Sequence, residues 1–325
     1  MKLARRKFLL LTASGVTLPT VSRIAMAQSY PTRPVTMIVP AAAGGPTDTL
    51  ARVLVERMRK SLGPSIIIEN VSGADGSIGV GRAARARPDG YTIVLGYSGT
   101  VLNGAFYSLQ YDVLNDLVPI SPLVRLPVVL LARKTMPAAG LNELIAWLKA
   151  NPNKASAGVT SAGYRLLYAL FQKETGTQFT LVPYRGGAPA VQDLVAGQID
   201  FVLDTLVQLP LVRAGTINAY ALTSETRSAL VPDIPTFAEM RLATLTFSGW
   251  GGLFAPNGTP KTIMDKLNVA VAAALADPAL RSRLVELGFE IFPAGQQTPE
   301  TLGAVVKADV EKWWPLIKEF GIKAE

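Results

Sequence analysis

The sequence predicts an α/β fold: two α/β lobes joined by two crossing strands, with a ligand cleft between them. Three observations carry this expectation. Short β-rich runs alternate with amphipathic helical patterns over residues 34–96, the alternation resumes over 127–224, and no composition-biased linker separates the two series. Strand–helix alternation of this kind builds parallel sheets covered on both faces.

The first series opens with "PVTMIVP" (34–40), a short strand. "TDTLARVLVERMRKSLG" (47–63) follows, with Leu50, Val53, Leu54, Met58 and Leu62 recurring at helical spacing and Gly63 closing the helix. "SIIIEN" (65–70) is a strand, "IGVGRAARAR" a short helix, "PDG" (88–90) a turn and "YTIVLG" (91–96) a third strand. The second series has strands at 127–134, 180–185, 199–205 and 217–224, with helical patterns at 141–152, 166–176 and 190–198. The chain ends in helices at 260–276, 279–287 and 299–319, the last carrying Trp313 and Trp314, which read as packing residues. Crossings between lobes near 120–128 and 247–254 divide the chain into lobe 1 (28–125 and 250–325) and lobe 2 (126–249). The cleft between them is then the natural ligand site.

Residues 1–27 read as a secretory leader: Lys2, Arg5, Arg6 and Lys7 precede the apolar run Phe8–Leu11, and Ala25-Met26-Ala27 supplies a small-x-small cleavage signal. A retained amphipathic anchor is the other reading, and "RRKFL" leaves the Sec and twin-arginine routes both open. Removing the leader takes away five basic residues, so the formal charge falls from +8 to +3. A mature chain so weakly basic, without a Lys/Arg block interleaved with aromatics, gives no nucleic-acid footprint. At 49% hydrophobic the chain has enough apolar material for a core of its own, and it needs no disulfide because it has no cysteine. The expected mature form is a secreted monomer that is not membrane-inserted.

With no histidine and no cysteine in 325 residues, neither a Ser-His-Asp nor a Cys-His arrangement can be built, and zinc loses its usual ligands. No metal site, cofactor or catalytic residue is expected.

The chemistry then falls to loops after strands. "VPAAAGGPTD" (39–48) lacks the Gly-Lys-Ser/Thr of a phosphate loop, and its adjacent Gly44 and Gly45 do not make a dinucleotide fingerprint. Small residues there allow close backbone approach, and Thr47 or Asp48 can cap the next helix while free N–H groups face a ligand. A tight turn with an ordinary cap is the plainer reading. "SGADGSIG" (72–79), "YSGT" (97–100), "GVTSAG" (158–163) and "YRGGAP" (184–189) repeat the arrangement. Ligands of open parallel sheets bind beyond the carboxyl ends of strands. Backbone N–H groups and hydroxyls hold an anion without activating it, which favours a receptor over a catalyst. Arg185 suits either a ligand carboxylate or a surface ion pair. Asp204 suits either a ligand donor or a local cap.

Taken together, "YPTRPVTMIVPAAAGGPTD" (30–48), "IIIENVSGADGSIG" (66–79), "ARPDGYTIVLG" (86–96), "YDVLNDLVPIS" (111–121), "VPYRGGAPAVQDLVAGQIDFVLDT" (182–205), "AYALTSETRSALVPDIPTFAEM" (219–240) and "WGGLFAPNGTP" (250–260) resemble the periplasmic receptors of the tripartite tricarboxylate transporter family, the Bug receptors. The fragments run in family order over nearly the whole mature chain. The resemblance implies a type II periplasmic binding protein fold that closes over one small organic carboxylate and works with a membrane transporter. It implies ligand contacts from Ala42, Ala43, Gly44, Gly45 and Asp48 in the first loop and from Gly73, Ala74, Gly76 and Ser77 in the second. Ser98, Thr100, Thr160, Ser161, Asp204 and Thr205 complete the implied site. Two departures stand out: three alanines, Ala41–Ala43, precede the glycines, and the segment 157–171 has Tyr164 and Arg165 where the family often has a histidine. A receptor that presents its solute to a membrane sensor, and a carboxylate-using enzyme, are the alternative functions.

Overall fold

The computed structural model describes residues 30–63 and 66–322. The expected leader, residues 1–27, lies outside the described residues.

In chain order the first half contains β1 (Val35–Val39), α1 (Pro46–Leu62), β2 (Ile66–Asn70), α2 (Ser77–Ala84), β3 (Thr92–Tyr97), α3 (Ser98–Phe106) and β4 (Leu117–Arg133). There follow α4 (Leu141–Ala150), β5 (Ser156–Val159), α5 (Ala162–Thr175), β6 (Thr180–Pro183), α6 (Gly187–Val195), β7 (Phe201–Thr205), α7 (Leu209–Arg213) and β8 (Ile217–Leu222). The chain closes with β9 (Ser248–Pro256), α8 (Lys261–Ala276), α9 (Pro278–Glu286), β10 (Glu290–Ile291) and α10 (Pro299–Glu319).

Each lobe has a parallel trio, β2-β1-β3 in the first and β6-β5-β7 in the second. Strands β4 and β9 run antiparallel to one another along residues 117–127 and 248–256. β9 pairs with β3 in the first lobe, and β4 pairs with β7 and β8 in the second. These are the two crossings, and they form the hinge. Strand β4 is 17 residues long, whereas its sequence suggests a strand only from 127. Its first half contains Pro119 and Pro122, which cannot donate to a ladder; the register with β9 shifts beside each of them.

Helix α1 shows how local pattern becomes packing. Leu50, Leu54, Met58 and Leu62 recur every fourth residue, so they share one face, and that face is buried against the first-lobe sheet and α8. Burying each such side chain contributes ~1.5–3 kcal/mol. Pro46 opens the helix at a position where its missing N–H costs nothing, and the amide of Gly63 closes it on the Arg59 carbonyl at 3.1 Å. Its N-cap is Gly45, with no side-chain cap bond, so neither Thr47 nor Asp48 caps the helix as the sequence suggests.

Strand β5 and helix α3 are among the elements that the sequence pattern leaves out. Residues 156–159, Ser-Ala-Gly-Val, have almost no β-branched character. Helix α3 contains two glycines and a threonine, and tertiary packing supports it. The Trp314 ring sits where a side chain on Gly104 would project, and its Nε1 donates to the Val101 carbonyl at 3.2 Å. Helix α10, placed wholly in lobe 1 by sequence, also serves lobe 2. Trp313 and Ile317 are buried in the same core as Val128, Phe171 and Phe247, and the Trp313 and Phe247 rings meet edge-on at 5.6 Å.

Candidate functional site

The strands of both parallel trios end at the cleft between the lobes, and the helices after them begin there. A cavity of about 220 Å³ lies at the hinge. Thr47 from the first turn of α1, Ser98 and Gly99 from α3, and Ser161 and Gly163 at the start of α5 all reach its wall. The unpaired N–H groups and positive dipole end of a helix favour an anion. Most of the remaining wall is apolar: Leu50, Leu95, Leu102, Phe106, Phe247 and Trp250. Among the described residues, no lysine or arginine lines it. A second, outer cavity of about 800 Å³ shares Asp75 and Ser161 with the first and is lined by Thr160, Tyr184, Arg165 and Arg185.

Of the residues expected in the site, Ser98, Ser161 and Thr205 line the inner cavity, and Thr160 lines the outer one with Ser161. The Ser161 hydroxyl also caps α5, accepting from the Tyr164 amide at 3.3 Å.

The first loop is built differently. Ala42, Ala43 and Gly44 are exposed, and neither they nor Gly45 line either cavity. Asp48 is buried, and its carboxylate accepts from the Gly44 amide at 2.8 Å, from Arg52 Nε at 2.8 Å and from Asn70 Nδ2 at 3.0 Å. Burial alone would raise its pKa. The hydrogen bonds from Arg52, Gly44 and Asn70, with the Arg52 charge, outweigh that and hold it below the usual carboxylate range. Asp48 therefore positions the loop: Asn70 Nδ2 also donates to the Ala41 carbonyl at 3.1 Å, so one cluster ties the loop to β2. It also occupies the Gly44 N–H, one of the donors that the sequence offers to a ligand.

Several other expected contacts are similarly engaged. Thr100 accepts from the Tyr97 amide at 3.1 Å and donates to the Tyr97 carbonyl at 2.6 Å, locking the start of α3. Ser77 is buried and accepts from Asn103 Nδ2 at 3.0 Å. Gly73, Ala74 and Gly76 form a turn whose glycines have φ of 120° and 88°, and none of the three lines a cavity. Asp204 is buried and accepts from the Thr205 amide at 2.7 Å and from Gln208 Nε2 at 3.1 Å. Burial raises its pKa against those two bonds. Burial, with the nearby Asp204, also raises the Tyr164 hydroxyl.

The structure adds residues that sequence reasoning did not single out. Asp75 borders both cavities, within the loop whose Gly73, Ala74, Gly76 and Ser77 are the expected contacts. Tyr97, Asn103, Phe106, Phe247 and Trp250 supply aromatic and amide surface. Their only sequence signal is position after a strand end or on a crossing strand. Among the described residues, no group of three or more His, Cys, Asp or Glu is placed to hold a metal ion, and no helix is long and apolar enough to cross a membrane.

Residues 50–322 match the model of the tripartite tricarboxylate transporter family receptor. The chain belongs to that family. The receptor is 37% identical over 319 residues to an Agrobacterium vitis protein described as the UPF0065 protein in the TAR-I ttuE-ttuC' intergenic region, covering 97% of this chain and 92% of that one. It also resembles MatC from Rhodopseudomonas palustris with bound malate (TM-score 0.77, 36% identity, 89% of this chain and 100% of that one). A second R. palustris structure, with adipate, matches with TM-score 0.80 and 33% identity over 90% of this chain and 99% of that one. The receptor thus has the two-lobed type II periplasmic binding fold that its motifs imply.

Proposed function

We propose that this family receptor captures a small organic carboxylate in the interlobe cleft, closes over it, and delivers it in the periplasm to a tripartite membrane transporter. The observation that carries this reading is the convergence of α1, α3 and α5, from both lobes, on one cavity whose wall, among the described residues, has no lysine or arginine. Helix N-termini and hydroxyls then supply the anion's partners. A ligand that engages donors from both lobes stabilises the closed state over the open one, and that difference in affinity drives the shift. Malate and adipate in two relatives support the carboxylate class. The lack of a histidine or cysteine anywhere in the chain is consistent with binding in place of turnover.

The test is native mass spectrometry of the mature protein for a co-purifying acid, followed by calorimetry against mono- and dicarboxylates. Saturable binding of one class at micromolar affinity is expected. A folded protein that binds none of a broad carboxylate panel overturns the reading.

A further inference from the structure

We propose that Asp75 makes this cleft selective for a carboxylate that also carries a hydrogen-bond donor, an ammonium group above all, on an apolar body. This rests on the carboxylate-receptor reading and narrows it.

Asp75 is the residue common to the inner cavity and the outer cavity that carries an acid. Its backbone is held firmly: the Asp75 carbonyl accepts from the Tyr97 hydroxyl at 3.1 Å and from Asn103 Nδ2 at 2.8 Å. Its carboxylate, in contrast, accepts no hydrogen bond and forms no ion pair among the described residues. Its φ is 51°, in the left-handed region that glycine occupies without strain. A side chain is thus retained where a bare backbone suits the turn better, and it projects an acid into a ligand cavity.

The second observation is Asn103. It is fully buried and lines the inner cavity, and its Oδ1 accepts no hydrogen bond among the described residues. Its amide orientation follows from its partner, because the Asp75 carbonyl can only accept. Two acceptors on one wall therefore lack donors, and a buried acceptor without a donor is costly. A plain dicarboxylate brings only further acceptors and a second charge to an inner cavity that, among the described residues, has one acid and no cationic side chain; Arg165 and Arg185 line the outer cavity. A solute with one carboxylate at the helix N-termini, a donor at Asp75 and Asn103, and an apolar remainder against Leu102, Phe106 and Phe247 satisfies all three surfaces.

The experiment is calorimetry of the mature protein with L-leucine and L-phenylalanine, their deaminated counterparts 4-methylpentanoate and 3-phenylpropanoate, and malate. At least one amino acid is expected to bind tenfold or more tightly than its deaminated counterpart and than malate. In Asp75→Gly, which the left-handed backbone accepts, that ratio is expected to fall below threefold, with Asp75→Asn intermediate and the melting temperature retained. Equal or tighter binding of the deaminated acid or of malate overturns the inference, as does an undiminished ratio in Asp75→Gly. If none of the five probes binds while another carboxylate does, the inference falls alone. If no carboxylate binds, the receptor reading falls with it.

Discussion

The indole Nε1 of Trp250 donates to Asp309 Oδ2 at 2.7 Å, tying crossing strand β9 to helix α10 at the hinge. Trp250 lines the ligand cavity and also a separate cavity of about 360 Å³ that contains Asp309 and Lys312. Trp250 and Phe247 both line the two cavities, so their rings stand between the cleft and a charged pocket behind it.

Burial pushes Asp309 up to about 6, against the opposing effects of Trp250, Trp313 and the Lys312 charge. The folded state therefore holds this proton more tightly than the unfolded chain. The resulting stabilisation is complete below the ordinary carboxylate pKa and is lost as pH rises through about 6. In Asp309→Asn, which keeps an acceptor for Trp250 but does not titrate, stability relative to wild type is expected to improve by about 1–3 kcal/mol between pH 4 and pH 7.5. Urea unfolding at the two pH values measures this; a pH-independent difference contradicts it.

Asp48 has the opposite sign. Its depressed pKa contributes stability above the ordinary carboxylate range that is lost as pH falls below it. Asp48→Ala leaves Asn70 and the Gly44 amide without their shared acceptor, and it is expected to cost about 2–4 kcal/mol at pH 7. A shift in the urea midpoint reads this. Weakened ligand binding at full stability would instead make Asp48 a direct ligand contact.

Gly76 turns the second loop at φ 88°, and a Cβ there would stand 2.8 Å from both the Pro40 carbonyl and the Tyr97 hydroxyl. Gly76→Ala is expected to destabilise the protein by about 1–3 kcal/mol through clash and strain. Because Tyr97 holds the Asp75 carbonyl, ligand affinity should fall as well. Thermal melting and calorimetry on the one variant measure the two effects.

The proposed closure would move the lobes about β4 and β9. Saturation with a bound carboxylate is expected to reduce the radius of gyration in small-angle scattering and to change tryptophan emission. Most of that emission change should disappear in Trp250→Phe, since Trp250 is the cavity-lining tryptophan. Superimposable scattering profiles would exclude a large hinge movement.

Much of the fold was legible from local pattern. The four-residue recurrence from Leu50 to Leu62 specifies the buried face of α1 wherever that helix is placed, since helical geometry alone puts those residues together. The ordered loop motifs specified the family, and the lack of histidine and cysteine removed the usual nucleophilic chemistry. The full length of β4 was not legible, because its prolines mask a strand that only pairing with β9 sustains.

For the site, the chain by itself determined that small-residue loops end its strands and precede its helices. It did not determine which polar groups those loops leave for a ligand. Asp48 stands beside two glycines and looks available, yet Asn70, 22 residues away, helps to engage it. Asp75 lies inside a similar loop, and Asn103, 28 residues away, grips its carbonyl while Asp75 lines the cleft cavity. The physical reason is that a side chain's role depends on which partners the fold brings within hydrogen-bonding distance. Tertiary structure alone chooses those partners.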